Sequence, residues 1–273
     1  MSSGSSPTDV GNGDDPFLAL EDVSLRYGQA AALDDVTLRV QRGERVAILG
    51  PSGAGKSSLL GVANTSRRPT TGAVRLFGHD PMSLGPSERR ALRRRIGTVD
   101  QRPPLPGPLR VVHNVNAGRL GQWPTWRALW SLLRAHDVDG ASDALDRLGI
   151  GDKVWRRTDE LSGGERQRVA LARVMVQGAE LVLADEPVSG LDPARARDVL
   201  GLLCGCPGDA VDDRVPGPRF ETVVVALHDV ELAREHVDRV VGLRGGRVLF
   251  DVPVDALTPD LTDRLYDLTT TPA

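Results

Sequence analysis

Lysine is nearly absent from this chain. Of 34 basic residues only Lys56 and Lys153 are lysine, so a lysine here marks a place where arginine would not serve. Arginine is a broad planar fork, whereas lysine is a slim point charge that fits between phosphate groups. Cysteine is equally scarce. Cys204 and Cys206 lie in one Cys-Gly-Cys tripeptide, too close to bridge readily and too few for a zinc cage. They read as incidental thiols in a reducing compartment. The sequence has no run of about 18 apolar residues, which excludes a helix spanning a bilayer. Met1 to Asp15 has neither a basic start nor an apolar stretch, unlike a secretory signal. Net charge is only −3, so nothing global points to nucleic acid. The local run Arg89 to Arg95 reads as a solvated helix face. These absences leave a cytosolic protein whose 273 residues, 40% hydrophobic and 26% charged, suffice for one large domain or two modest ones.

Against that background Lys56 stands inside Gly50-Pro51-Ser52-Gly53-Ala54-Gly55-Lys56-Ser57-Ser58. The short apolar stretch Arg45 to Leu49 precedes it, and a helical pattern from Ser58 follows. Strand, glycine loop and helix form the context of a true P-loop. Its backbone N–H groups cradle phosphates at a helix N-terminus, the lysine reaches the terminal phosphates, and Ser57 offers a hydroxyl to magnesium. Further on, the apolar Leu181-Val182-Leu183-Ala184 ends in Asp185-Glu186. A strand end holds a carboxylate rigidly, and a second acid beside it suits a base for attacking water. Between these motifs lies Ser162-Gly163-Gly164-Glu165-Arg166-Gln167-Arg168. There Ser162 is the expected N-cap of an amphipathic helix whose dipole favours a phosphate.

With the Ser-Gly-Gly helix in this order, residues 17 to 268 resemble the ATPase subunit of an ATP-binding-cassette (ABC) transporter. The resemblance implies an α/β P-loop cassette with an antiparallel β subdomain and an inserted helical subdomain. It assigns ATP and Mg²⁺, the metal held through Ser57, Asp185 and Gln101. Glu186 becomes the catalytic base, with Lys56, Gln101 and His228 completing the catalytic set. Tyr27 becomes the adenine stacker, and Asp192 joins the nucleotide contacts. The same resemblance implies that Ser162, Gly163 and Gly164 close over ATP bound to a second copy, so that a homodimer makes two sites. Asn114 to Gly121 with Pro124-Thr125-Trp126-Arg127, and Leu227 to Glu235, resemble the ATPase subunits of phosphonate, phosphite and phosphate-ester importers. Permease subunits, an extracellular solute-binding protein, no nucleic acid, and a place on the cytoplasmic face of the membrane follow from that resemblance.

Pattern along the chain divides it into a disordered tail (1–15), the cassette (16–268) and a short tail (269–273). Antiparallel strands are expected at Leu18 to Val23 and Asp35 to Val40, with a turn near Gly28. A mostly helical insert is expected at about 87–176, and further strands at 181–184, 222–227 and 239–243. Gly, Pro and Asp predict an exposed loop at 204–219, and 255–267 reads as a short helix. Import of another small nutrient, a soluble cassette acting on ribosomes or DNA, and a P-loop kinase are the alternatives. A kinase lacks the Ser-Gly-Gly helix, and a soluble cassette usually carries a second cassette or basic arms that this chain lacks.

Overall fold

The computed structural model describes residues 15–124, 130, 137–205 and 220–267. Three antiparallel strands, β1 (Leu18–Tyr27), β2 (Ala30–Val40) and β4 (Thr71–Leu76), form a sheet in the order β2-β1-β4. In β2 the buried residues Leu33, Val36, Leu38 and Val40 face the core while their neighbours meet solvent, the alternation of a half-buried sheet. The turn expected near Gly28 joins β1 to β2, both longer than their apolar alternation alone marked.

A second sheet has the order β5-β6-β7-β3-β8-β9, built from β5 (Ile96–Val99), β6 (Leu181–Asp185), β7 (Thr222–Leu227), β3 (Arg45–Leu49), β8 (Arg239–Arg244) and β9 (Arg247–Pro253). All neighbours are parallel except the β8–β9 hairpin. Every residue of β7 is buried, so this strand reads as a continuous apolar run. Alternate residues enter opposite cores. Ala47, Leu49, Val182, Ala184, Val223 and Val225 join one core. Val46, Ile48, Leu181, Leu183, Val224 and Ala226 join the other, beneath the antiparallel sheet.

Helix α1 (Lys56–Ala63) fills the space between the two sheets, contributing Leu59, Leu60 and Val62 to the second core. Helix α2 (Pro86–Arg94) leads into β5. Then come α3 (Val111–Asn116) and α4 (Val138–Arg147), packed on α5 (Gly163–Gln177) through Val111, Val112, Val115, Ala141, Ala144 and Leu145. Helices α6 (Pro193–Cys204), α7 (Val230–His236) and α8 (Pro259–Tyr266) complete the described chain.

The sequence pattern fell short in three places. Ile96–Val99 is a strand of the main sheet, although it lies within the span expected to be mostly helical. Four residues are too few to show a period against the arginine-rich helix before them. Strands β4 and β9 were unanticipated because only Val74 and Leu76 of β4, and Phe250 of β9, are buried. Cys204, placed at the start of an exposed loop, instead ends α6 and is 2% exposed. Positions 206–219, Thr125, Trp126 and Arg127, 1–14 and 268–273 lie outside the described residues.

Strand order places the site. The segments after β5, β6, β7 and β3 all leave the carboxyl edge of four adjacent parallel strands. Open α/β sheets bind ligands along that edge.

Candidate functional site

The loop Gly50 to Gly55 leaves β3, and α1 begins at Lys56 with Gly55 as its N-cap at φ 106°. A Cβ at Gly55 would lie 2.5 Å from the Ala32 carbonyl oxygen, so only glycine fits where the loop crosses β2. Ser52, Gly53 and Ser57 are exposed, whereas Lys56 is 5% exposed. The Lys56 ammonium donates to the Gly50 carbonyl at 2.7 Å and the Pro51 carbonyl at 3.3 Å, and stands 3.5 Å from Glu186 Oε1. Thus the loop folds back over its own cation and holds it against an acid from another strand. Ala54 closes the turn through its N–H to the Pro51 carbonyl. No acidic residue occupies the first turn of α1, which leaves its positive dipole end uncompensated by a carboxylate.

Asp185 ends β6, and Glu186 takes a left-handed conformation with φ 47°. A non-glycine residue there costs about 1–3 kcal/mol and persists only when its surroundings fix it. They do: Glu186 N–H donates to the Ala226 carbonyl on β7, and Ser189 N–H donates to the Glu186 carbonyl. The turn swings the Glu186 carboxylate towards Lys56 and Gln101. Gln101 Nε2 donates to Glu186 Oε2 at 3.0 Å and to Ser189 Oγ at 3.1 Å. One carboxylate therefore faces a cation on one oxygen and an amide on the other.

Asp185 Oδ1 is buried with no hydrogen-bond partner among the described residues. Burial pushes the neighbouring Asp100 carboxyl up, and the Asp185 charge pushes it further, against the pull of Arg173. A buried carboxylate oxygen without a partner among the described residues, with a serine hydroxyl and an amide oxygen, is the all-oxygen donor set that a hard divalent cation takes. Asp185, Ser57 and Gln101 fit Mg²⁺ on that ground.

The remaining candidates fall into two groups. His228 follows β7 and its side chain is exposed, while its carbonyl accepts from Tyr266 Oη at 3.0 Å. Tyr27 ends β1 at 51% exposure, with the Arg67 guanidinium carbon 5.6 Å from its ring centroid. Arg67 also donates to Ser58 Oγ at 2.9 Å, linking the base-stacking candidate to the phosphate loop.

Ser162 belongs elsewhere. It caps α5 as the composition of that segment predicts. Glu165 N–H donates to Ser162 Oγ, and Ser162 N–H donates to Glu165 Oε2 at 2.8 Å, a reciprocal capping box. Those bonds from Ser162 hold the Glu165 carboxyl below the usual range. Ser162 and Gly164 open on a cleft of about 310 Å³ with Lys153, Glu165, Leu191 and Arg195. No P-loop residue lines that cleft. Asp192 is exposed and caps α6, accepting from Arg195 N–H and pairing with the Arg195 guanidinium at 3.3 Å. Within one chain the structure therefore gathers Lys56, Gln101, Asp185 and Glu186, and sets Ser162 away from the P-loop near the Asp192 turn, while Gly163 and Gly164 share a second cleft with Gln101 and Ser189.

Sequence reasoning passed over Arg67, Asp100, Ser189 and Tyr266. Ser189 stands three residues after Glu186 and three before Asp192, near enough to both to be legible. Nothing local marks the other three: Arg67 meets Tyr27, Asp100 meets Asp185 and Tyr266 meets His228 only once the chain is folded.

Comparison with known proteins bears on the family and the fold. The model of the ABC transporter family matches residues 33–189, more than half of the chain. The chain is 49% identical over 250 residues to a phosphonates import ATP-binding protein of Pseudomonas aeruginosa, covering 91% of this chain and 90% of that one. It is 45% identical over 244 residues to its counterpart in Cupriavidus necator, covering 89% and 84%. Among solved structures, a bacterial ABC transporter cassette determined as a dimer superposes with TM-score 0.73 at 27% identity, over 88% of this chain and 100% of that one. Clostridium perfringens CbiO1, part of an ABC transporter complex, gives 0.71 at 26%, over 94% and 96%. With its P-loop, its acidic strand end and its capped Ser-Gly-Gly helix on this sheet, the chain belongs to the ABC transporter family, as an ATPase cassette.

Proposed function

We propose that this cassette drives import of a phosphonate-type solute through a partner permease, two copies closing on two ATP molecules at the cytoplasmic face of the membrane. The observation that carries the ATPase chemistry is the Glu186 carboxylate, held between Lys56 and Gln101 beside the unpartnered oxygen of Asp185. The P-loop amides from Gly53 to Ser58 receive the phosphates, and Tyr27 stacks on the adenine. Lys56 exchanges its contact with Glu186 for the terminal phosphates and frees the carboxylate. Glu186 then takes a proton from water as its oxygen attacks the γ-phosphorus, and the bond to the β–γ bridging oxygen breaks, releasing ADP and phosphate. Mg²⁺ held by Ser57, Asp185 and Gln101 would neutralise charge on the phosphates. His228 contacts the γ-phosphate from the end of β7.

Ser162 and Gly164 line one cleft, and Gly163 and Gly164 a second, neither with P-loop residues, so their phosphate belongs to the other copy. The opposing cassette supplies it across the dimer, next to the Asp192 turn. The solute assignment is supported by the phosphonate-import names of the relatives covering nine-tenths of the chain. An extracellular binding protein selects the solute, and this subunit never meets it.

The test is ATPase stimulation in the reconstituted transporter. Binding protein loaded with a phosphonate, phosphite or phosphate ester should raise turnover. Stimulation by an amino acid or sugar, with none by phosphorus oxyanions, would reject the solute while leaving the ATPase intact.

A further inference from the structure

Tyr266 ends α8, a helix with no part in the nucleotide chemistry described above. Its hydroxyl donates to the His228 carbonyl at 3.0 Å. That carbonyl lies one residue beyond β7, where strand pairing has ceased. Leu49 of β3 pairs with Leu227 of β7, so Gly50 and His228 leave adjacent strands side by side. Gly50 is the first residue of the P-loop, and its own carbonyl receives the Lys56 ammonium at 2.7 Å. The phenol therefore holds the peptide that carries His228 at the strand end next to the loop that carries Lys56.

The phenol is held in place from several sides. Leu265 beside it is fully buried in the main core. Arg244 of β8 donates to the Arg264 and Asp267 carbonyls, pinning the end of α8. Thr258 caps its start, accepting from Leu261 N–H. The anchoring strand also abuts the P-loop: a Cβ at Gly50 would lie 2.2 Å from the Leu243 carbonyl oxygen. Burial pushes the Tyr266 phenol up, so it keeps the proton it donates.

We infer that Tyr266 is a positioning residue for ATP hydrolysis, holding the His228 peptide in register with the entrance of the P-loop. This rests on the reading of His228 as a γ-phosphate contact. A pure packing role needs only the aromatic ring. The positioning role needs the hydroxyl, and it acts on the rate rather than on ATP binding, because neither Tyr27 nor the loop amides depend on it.

Tyr266→Phe in the full chain separates the two. Loss of one hydrogen bond that aligns a reacting group should lower kcat about threefold to tenfold. The KM for ATP should stay within about twofold, and Tm within about 2 °C, since the ring stays packed. In a double-mutant cycle with His228→Ala, the second substitution should add no further loss of kcat. Wild-type kcat in Tyr266→Phe, with His228→Ala strongly impaired, would overturn the inference and leave His228 in place. Fully multiplicative losses, or a fall in kcat matched by a fall in Tm, would overturn it as well. Wild-type turnover in His228→Ala would remove the His228 reading itself, and the role of Tyr266 with it.

Discussion

Replacing Gly55 by alanine sets a conformational cost and a steric cost on one atom. At φ 106° an L-residue is strained, by about 1–2 kcal/mol on the scale of left-handed conformations. The new methyl would also sit 2.5 Å from the Ala32 carbonyl oxygen and 3.2 Å from Leu33 Cδ2. Both belong to β2, so the antiparallel sheet or the P-loop must give way, at about 1–3 kcal/mol for overpacking. Together these reach about 2–5 kcal/mol, which for a domain of this size lowers Tm by roughly 5–15 °C. Gly53→Ala is the control. Its φ is 80° and nothing lies within 4 Å of the added atom, so only strain remains, and Tm should fall by no more than about 5 °C. Differential scanning calorimetry of both variants without nucleotide reads the contrast. With ATP added, wild type should melt higher by mass action, and Gly55→Ala should lose that increment because its loop is displaced. Gly55→Ala melting within about 2 °C of wild type, or two equal decrements, would refute the reasoning.

Other expectations rest on single contacts. Glu186→Gln keeps an acceptor for Gln101 but no base, so ATP should still bind while hydrolysis falls about 10²–10⁴-fold; near-normal turnover in a phosphate-release assay would exclude Glu186 from that role. Tyr27→Ala should raise the Kd for ATP by about tenfold, from loss of stacking, at unchanged Tm; calorimetric titration giving wild-type affinity would contradict the adenine contact. Burial pushes the Cys204 thiol up to about 12 from 9.0, so the fold favours its protonated form. That stability is fully present below the unfolded pKa and is lost as pH rises through about 9 to 12. In a Cys206→Ser background, Cys204→Ala should flatten the decline of Tm over that window, and an unchanged slope would dismiss the thiol as its source.

The site was legible wherever chemistry demanded a residue type at a fixed spacing. Gly50 to Ser58, Asp185-Glu186 and Ser162 to Gly164 each hold the residues of their proposed role within a few positions, and Ser162 forms the capping box its neighbours encode. What stayed hidden was set by tertiary context. Asp100 is perturbed by burial and by Asp185, and Tyr266 reaches His228 across 38 residues of sequence. The fold followed the same rule. Apolar runs such as Thr222–Leu227 announced the central strands, whereas β4 and β9, exposed along most of their length, left no period to read.

A composite site requires the Ser162 helix to act on the other chain's nucleotide. Sedimentation velocity of Ser162→Arg, in a Glu186→Gln background that retains ATP, measures this directly. The Glu186→Gln parent should sediment as a dimer on adding ATP. The double variant should bind ATP with the parent's affinity and remain a monomer, because its own P-loop is intact and only the surface offered to the partner is blocked. Dimers forming as readily as in the parent, or ATP affinity of the monomer falling with the substitution, would place Ser162 outside the composite site.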